Sequence, residues 1–180
     1  MIVIKYGKLY ESLWDKVETE YRFIPDFTFT PYEWISLPGD SKKYYLPKYS
    51  WTEEQEKTVN GILKQTIHGD IYAMDWHHEC FMFNPNESFL IPKKDLPFIA
   101  SLPQYYDKEK DDYHYFPSYC PNGDYFFFIS TDWSYGIFGH PWLNELYVMG
   151  KELIEQFDLR SAELEIRTTQ EAAQVAVPST

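Results

Sequence analysis

The sequence predicts an α+β fold, with a mostly antiparallel twisted sheet and two to three helices packed on one face. Two amphipathic helical segments precede a run of short strands, and one more helix follows them. Turn sequences rather than helical crossovers separate the strands, which favours antiparallel pairing. A chain of 180 residues is long enough to bury a substantial core as one domain.

The first helix is predicted over residues 8–22, because apolar residues recur there at helical spacing with acidic residues between them. These apolar residues are Leu9, Leu13, Val17 and Tyr21. Pro25 ends the helical register. The sequence FTFT at 27–30 predicts a short strand.

The second helix begins near Thr52, which stands three residues before Gln55 as in a capping box. Its buried stripe is predicted to hold Val59, Ile62, Leu63 and Ile67. Gly69 is the predicted C-terminal cap.

One strand is predicted from about residue 71 to residue 83. Alternation along such a strand places Asp75, His77 and Glu79 on one face and Trp76 and His78 on the other. His78 is therefore interpreted as a hydrogen-bonded core histidine.

The remaining elements follow from apolar runs between turn signals. Strands are predicted at 89–92, at 125–129, after the turn at 134–136, and at 146–149, and a final helix at 151–157. The charged run at 107–112 predicts an exposed loop. Residues 1–158 are thus expected to form one α+β domain, and the polar, aromatic-free residues 159–180 a disordered C-terminal tail.

Acidity limits the classes of partner. The chain carries 16 Lys and Arg against 28 Asp and Glu, for a formal net charge of −12. A binder of nucleic acid or of an acidic membrane surface needs a basic field, so neither is expected as a partner. A basic protein, a cationic ligand or a metal ion is compatible with this charge.

Cysteine content and the N-terminus indicate the compartment. Cys80 and Cys120 are too few for a disulfide scaffold and do not form a CxxC pattern. The first residues lack a basic region followed by an apolar run, and no stretch approaches the ~20 apolar residues of a membrane span. A cytoplasmic location is expected.

Asp75, His77 and Glu79 form the first candidate site. Carboxylates and imidazole are the usual ligands of divalent metals and the usual proton carriers, and His114 or His140 can supply a further ligand. The alternative is a polar row that hydrogen-bonds across the sheet. The alternative is favoured, so no metal or cofactor is predicted.

A second candidate lies at GIFGHPW, residues 136–142. The segment lacks the pattern of a phosphate loop. His140 precedes a proline and is held extended beside Trp142, which suits either the corner of a pocket or a tight aromatic turn. Ser130 and Asp132 lack the surroundings of a nucleophile elbow, so no catalytic residue is predicted.

The sequence also resembles an uncharacterised bacterial family, a 2716-type domain of unknown function. The resemblance rests on DWHHE at 75–79, NGDY at 122–125 and FGHPW at 138–142, and it spans about residues 13–157. It implies a compact α+β domain and transfers no catalytic role. Asp124 and Tyr125 of the NGDY element join the predicted binding set.

Three hypotheses follow. The first is a non-catalytic acidic binding protein, immunity- or inhibitor-like, with a protein partner that carries basic charge or with a small molecule; its surface comprises Asp75, Trp76, His77, Glu79, Asp124, Tyr125, His140 and Trp142. The second is a metal-assisted hydrolase or small-molecule pocket built on Asp75, His77, Glu79 and His140. The third is an assembly role through exposed sheet edges.

Overall fold

The computed structural model describes residues 1–25, 33–48, 50–78, 80–87, 106–107, 112–113, 116–121 and 123–175. The strands are β1 (Ile2–Ile4), β2 (Ser41–Tyr45), β3 (Ile71–Asp75), β4 (Cys80–Phe83), β5 (Tyr106–Asp107), β6 (Asp112–Tyr113), β7 (Phe126–Ser130), β8 (Gly136–His140), β9 (Glu145–Met149) and β10 (Arg167–Thr168). The helices are α1 (Lys8–Glu20), α2 (Glu53–Thr66), α3 (Lys151–Leu159), α4 (Ser161–Leu164) and α5 (Thr169–Val175).

Eight of these strands form one sheet in the order β1-β4-β3-β7-β8-β9-β2-β10. Every neighbouring pair in it is antiparallel, as in the alignment of Asp75 with Phe126 and of Phe126 with Gly139. The strands β5 and β6 pair separately. The predicted α+β class with an antiparallel sheet is confirmed.

Buried side chains lie on both faces of the sheet, because alternate residues of each strand point to opposite sides. On one face, α2, α3 and α4 pack against residues such as Ala73, Phe128 and Val148. On the other face, α1 packs against residues such as Met74 and Phe127. The sequence predicted helices on one face of the sheet only. The structure differs in that α1 packs on the second face.

Helices α1, α2 and α3 begin where the sequence places them. Thr52 and Gln55 form the predicted capping box, in which each side chain bonds the other residue's backbone N–H. The helix α2 ends earlier than predicted, with Ile67 rather than Gly69 as the C-cap residue. The helix α1 buries Leu13 and Val17 as the apolar spacing predicts.

The predicted single strand over 71–83 is wrong, because the chain reverses between β3 and β4 and the two strands form a hairpin. Ile71 and Ala73 pair with Phe83 and Phe81 and share one buried face with them. A continuous strand and a tight hairpin give the same alternation, so periodicity did not distinguish them. His78 consequently lies in an exposed turn and not in the core.

The expected disordered tail differs from the structure over residues 159–175. After α3, the helix α4 buries Leu164, and β10 pairs with β2 at the edge of the sheet. Trp51 donates from its indole N–H to the Leu164 carbonyl at 3.0 Å. Two isolated apolar residues, Leu164 and Ile166, anchor a stretch whose overall composition is polar.

Several expectations concern residues outside the described ranges: the strands at 27–30 and 89–92, the side chain of Glu79, and His114. The predicted loop at 107–112 begins and ends in the paired strands β5 and β6, and residues 108–111 also lie outside. Among the described helices, none has the length and apolar character to cross a membrane.

Candidate functional site

The end of β3 and the start of β7 bring two carboxylates and two imidazoles together. Asp75 is the last residue of β3, and Asp124 lies two residues before the start of β7. Because Asp75 is aligned with Phe126 across the sheet, the two aspartates meet although they are far apart in sequence. His77 and His78 extend from the turn after β3.

Each histidine contacts one aspartate. His77 Nδ1 lies 2.7 Å from Asp124 Oδ2, and His78 Nδ1 lies 3.0 Å from Asp75 Oδ1. Backbone donors fix the carboxylates: the N–H of His77 donates to Asp75 at 3.2 Å, and the N–H of Tyr125 donates to Asp124 at 2.7 Å. We call these four side chains the His–Asp cluster.

The two carboxylates of the cluster are buried, whereas both imidazoles are at least half exposed. Burial raises the pKa of Asp75 to about 6, and the charge of Asp124 adds to this rise against hydrogen bonds from His78 and the His77 backbone. Among the described residues, no lysine or arginine forms an ion pair with either carboxylate.

A groove of about 310 Å³ lies beside the cluster and is lined by α1 and the turn after β3. Its lining residues are Tyr10, Glu11, Trp14, Asp15, Glu18 and Trp76. The Trp14 and Trp76 rings meet edge to face at 5.0 Å between centroids. We call this feature the α1–Trp76 groove.

One wall of the groove is acidic, because Glu11, Asp15 and Glu18 follow one another at helical spacing on the exposed side of α1. These three side chains have no basic ion-pair partner among the described residues. The floor is aromatic, because the rings of Trp14 and Trp76 lie there. The groove therefore offers anionic and π-electron-rich surface together.

Tyr10 connects the groove to the His–Asp cluster, since its hydroxyl donates to the His78 carbonyl at 3.4 Å. Burial raises the pKa of this hydroxyl, mainly by desolvation. The hydroxyl therefore remains a neutral donor near neutral pH. Trp76 also belongs to both features, because it lies between Asp75 and His77 in sequence.

His140 stands apart from these features and is fully buried. Its Nδ1 accepts hydrogen bonds from the N–H groups of Trp142 and Leu143, each at 3.2 Å, which makes Nε2 the protonated nitrogen of the neutral ring. Nε2 lies 3.2 Å from the Tyr125 hydroxyl. Both ring nitrogens thus have protein partners, as in a tight aromatic turn.

The predicted set therefore divides into two places. Asp75, His77 and Asp124 meet in the cluster, and Trp76 joins it to the groove. The side chains of Tyr125 and His140 lie with Trp142 in an aromatic group, in which Tyr125 and Trp142 are 5.6 Å apart between ring centroids. Ser130 donates to Asp132 at 2.6 Å, and Asp132 also accepts from Ser134, which describes a structural turn.

Sequence reasoning missed His78 and the groove wall. His78 was placed in the core because a continuous strand was assumed. The wall was visible in the sequence, since the three carboxylates of α1 recur at helical spacing. Two aromatic residues of the same helix, Tyr10 and Trp14, are four positions apart beside them. The partner of that wall, Trp76, comes from a distant segment.

Comparison with known proteins gives a family match. A family model described as "Protein of unknown function (DUF2716)" matches residues 7–116 and 99–154. The chain is 34% identical over 89 residues to "Uncharacterized protein YxiI" of Bacillus subtilis (strain 168), a match that covers 49% of this chain and 43% of that protein. The match therefore spans less than half the length of this relative. No solved structure matches the chain.

Proposed function

The chain belongs to the DUF2716 family, and from this premise we propose that it is a non-catalytic, inhibitor- or immunity-like binding protein whose partner is a basic protein. The α1–Trp76 groove is the recognition site in this proposal. The observation that supports it most is the row of three carboxylates along an aromatic floor, which have no basic ion-pair partner within the described part of the chain.

A lysine or arginine side chain fits such a groove chemically. Its aliphatic stem packs on aromatic rings, and its charged end is attracted both to ring faces and to carboxylates. Trp14 and Trp76 supply the rings, and Glu11, Asp15 and Glu18 supply the charge.

The charge of the whole molecule supports the same partner. A net charge of −12 attracts a basic protein over a distance and accelerates the encounter, while the groove sets its orientation. The carboxylates of the groove lie at the surface, so each contributes modestly to the free energy of binding. The three together give the preference for a basic partner.

A labelled oligoarginine peptide tests the proposal, with an oligoglutamine peptide of equal length as the uncharged reference. Wild type is compared with the Glu11→Gln, Asp15→Asn, Glu18→Gln triple variant by fluorescence anisotropy. At about 0.5 kcal/mol per carboxylate, the triple variant should bind the peptide roughly tenfold more weakly.

The matched control removes the same charge elsewhere, by Glu54→Gln, Glu152→Gln and Glu155→Gln on exposed positions of α2 and α3. Its affinity should stay within a factor of about two of wild type, because screening limits distant exposed charges. Equal losses in both triple variants would reject the groove as the site and leave only attraction by net charge.

The alternative, a metal-assisted hydrolase or small-molecule pocket that uses Asp75, His77, Glu79 and His140, has less support. His140 already uses both ring nitrogens within the protein, so it lacks a free nitrogen for a metal or a substrate proton. Asp75 and His77 keep their place in the His–Asp cluster, where the exposed imidazoles face solvent.

A further inference from the structure

The His–Asp cluster contains three potential ligand atoms in one place. One nitrogen of His78 and one carboxylate oxygen each of Asp75 and Asp124 all lie within 4.8 Å of one another. A tetrahedral metal with bonds of about 2.1 Å sets its ligand atoms about 3.4 Å apart. The contact between His78 Nδ1 and Asp75 Oδ1, at 3.0 Å, is already close to this spacing.

We propose that Asp75, His78 and Asp124 bind one divalent transition-metal ion such as Zn²⁺. This site goes beyond the proposed partner-binding groove and is independent of it. It also differs from the metal site that was considered from the sequence and not favoured, which comprised Asp75, His77 and Glu79 with His114 or His140.

The burial of two neighbouring carboxylates supports the site. Two buried carboxylates face each other without a lysine or arginine partner among the described residues, and the cost of burying such charges is high unless a cation compensates them. A divalent ion bound between the two carboxylates supplies that compensation.

The type of ligand indicates the type of ion. Carboxylate oxygens alone suit Mg²⁺ and Ca²⁺, whereas an imidazole nitrogen among the ligands favours Zn²⁺ and other transition metals. Three protein ligands leave a fourth position to solvent, and the exposed imidazoles give the ion a path to it.

Neighbouring groups hold the ligands in position. His77 bonds Asp124 at 2.7 Å, and the N–H groups of Tyr125 and His77 bond Asp124 and Asp75. Hydrogen bonds of this kind to ligating carboxylates orient them before the ion arrives. His77 is therefore a positioning residue in this site and not a ligand.

Titration with Co²⁺ tests the site, because visible absorption reports its coordination. The protein is prepared without a histidine tag. Wild type should take up one Co²⁺ per chain, with the visible absorption of a Co²⁺ ion of low coordination number. Zn²⁺ should displace this Co²⁺, whereas a large excess of Mg²⁺ should not. His78→Ala should weaken Co²⁺ binding at least about tenfold.

The control is His68→Ala, which removes an exposed histidine after α2 and should bind Co²⁺ like wild type. Asp124→Asn should also weaken binding, and circular dichroism verifies that each variant is folded. The absence of stoichiometric Co²⁺ uptake by wild type would overturn the proposal, as would a folded His78→Ala variant with unchanged affinity and spectrum.

Discussion

His77 Nδ1 lies 2.7 Å from Oδ2 of Asp124, a residue 47 positions later in the chain. The contact joins the turn after β3 to the segment that enters β7. It connects an exposed imidazole to a buried carboxylate that also accepts the N–H of Tyr125. The two partners should therefore differ in their effect on stability.

Asp124→Ala should lower the free energy of unfolding by about 1–2 kcal/mol, because it leaves the buried N–H of Tyr125 without its acceptor. His77→Ala should cost less than about 1 kcal/mol, since its side chain is half exposed. Urea denaturation measures both. An Asp124→Ala chain as stable as wild type would mean that relief of repulsion with Asp75 cancels the lost hydrogen bonds.

Glu56 should make stability depend on pH. This carboxylate of α2 is buried and accepts hydrogen bonds from the Ser118 hydroxyl and from the N–H groups of Tyr119 and Cys120. Burial raises its pKa above the ordinary 4.5, and the three hydrogen bonds oppose that rise only in part.

The folded chain thus holds the Glu56 proton more strongly than the unfolded chain. Below pH 4.5, the ordinary pKa of the unfolded chain, Glu56 is protonated in both states and its ionisation costs no stability. As the pH rises from there to the raised pKa of the folded chain, the free energy of unfolding falls, because the unfolded chain ionises first. Urea denaturation across this range should show a shallower fall for Glu56→Gln than for wild type. Parallel curves for the two proteins would contradict the prediction.

Gly139 is required by close packing in β8. A Cβ atom there would come within 2.6 Å of the Pro121 side chain, whose ring cannot move aside as a flexible chain does. Gly139→Ala should therefore destabilise the protein by about 1–3 kcal/mol.

Gly61 within α2 is the matched control, because a Cβ atom there meets nothing within 4 Å. Gly61→Ala should raise stability by about 0.5–1 kcal/mol through helix propensity. Thermal unfolding of the two variants measures the contrast, and a destabilised Gly61→Ala chain or a neutral Gly139→Ala chain would argue against this packing.

Leu164 anchors the C-terminal segment. Its side chain is fully buried at 0% exposure, so Leu164→Ala should cost about 2–4 kcal/mol by leaving a cavity between α4 and the core. Leu159→Ala, at 75% exposure, is the comparison and should change stability by less than about 0.5 kcal/mol. If denaturation gave the same midpoint for both variants, residues 161–168 would not be docked in solution.

Local signals in the sequence predicted the helices α1 and α2 and the strand β7. The capping box at Thr52, the apolar spacing of α1 and the apolar run of β7 each depend on hydrogen bonds or side-chain contacts within a few residues. The antiparallel sheet followed from the short turns between strands. The family resemblance was carried by segments that the family match also covers.

The candidate site was predicted only in part, because its members meet through pairing across the sheet. Asp75, His77 and Asp124 were named from the sequence, but their partners were not. The reversal between β3 and β4 places His78 at the surface and not in the core, and β8 carries His140 into an aromatic core.

The sequence by itself determined the class of fold, the start of α1, α2 and α3, and the acidic character of the chain, since these depend on short-range periodicity and on composition. Only the tertiary structure decided which residues share a site. The alignment of Asp75 with Phe126 places Asp124 beside the turn after β3, and the position of α1 on the second face of the sheet places Trp14 against Trp76. Such contacts depend on strand order and helix placement, which no local pattern specifies.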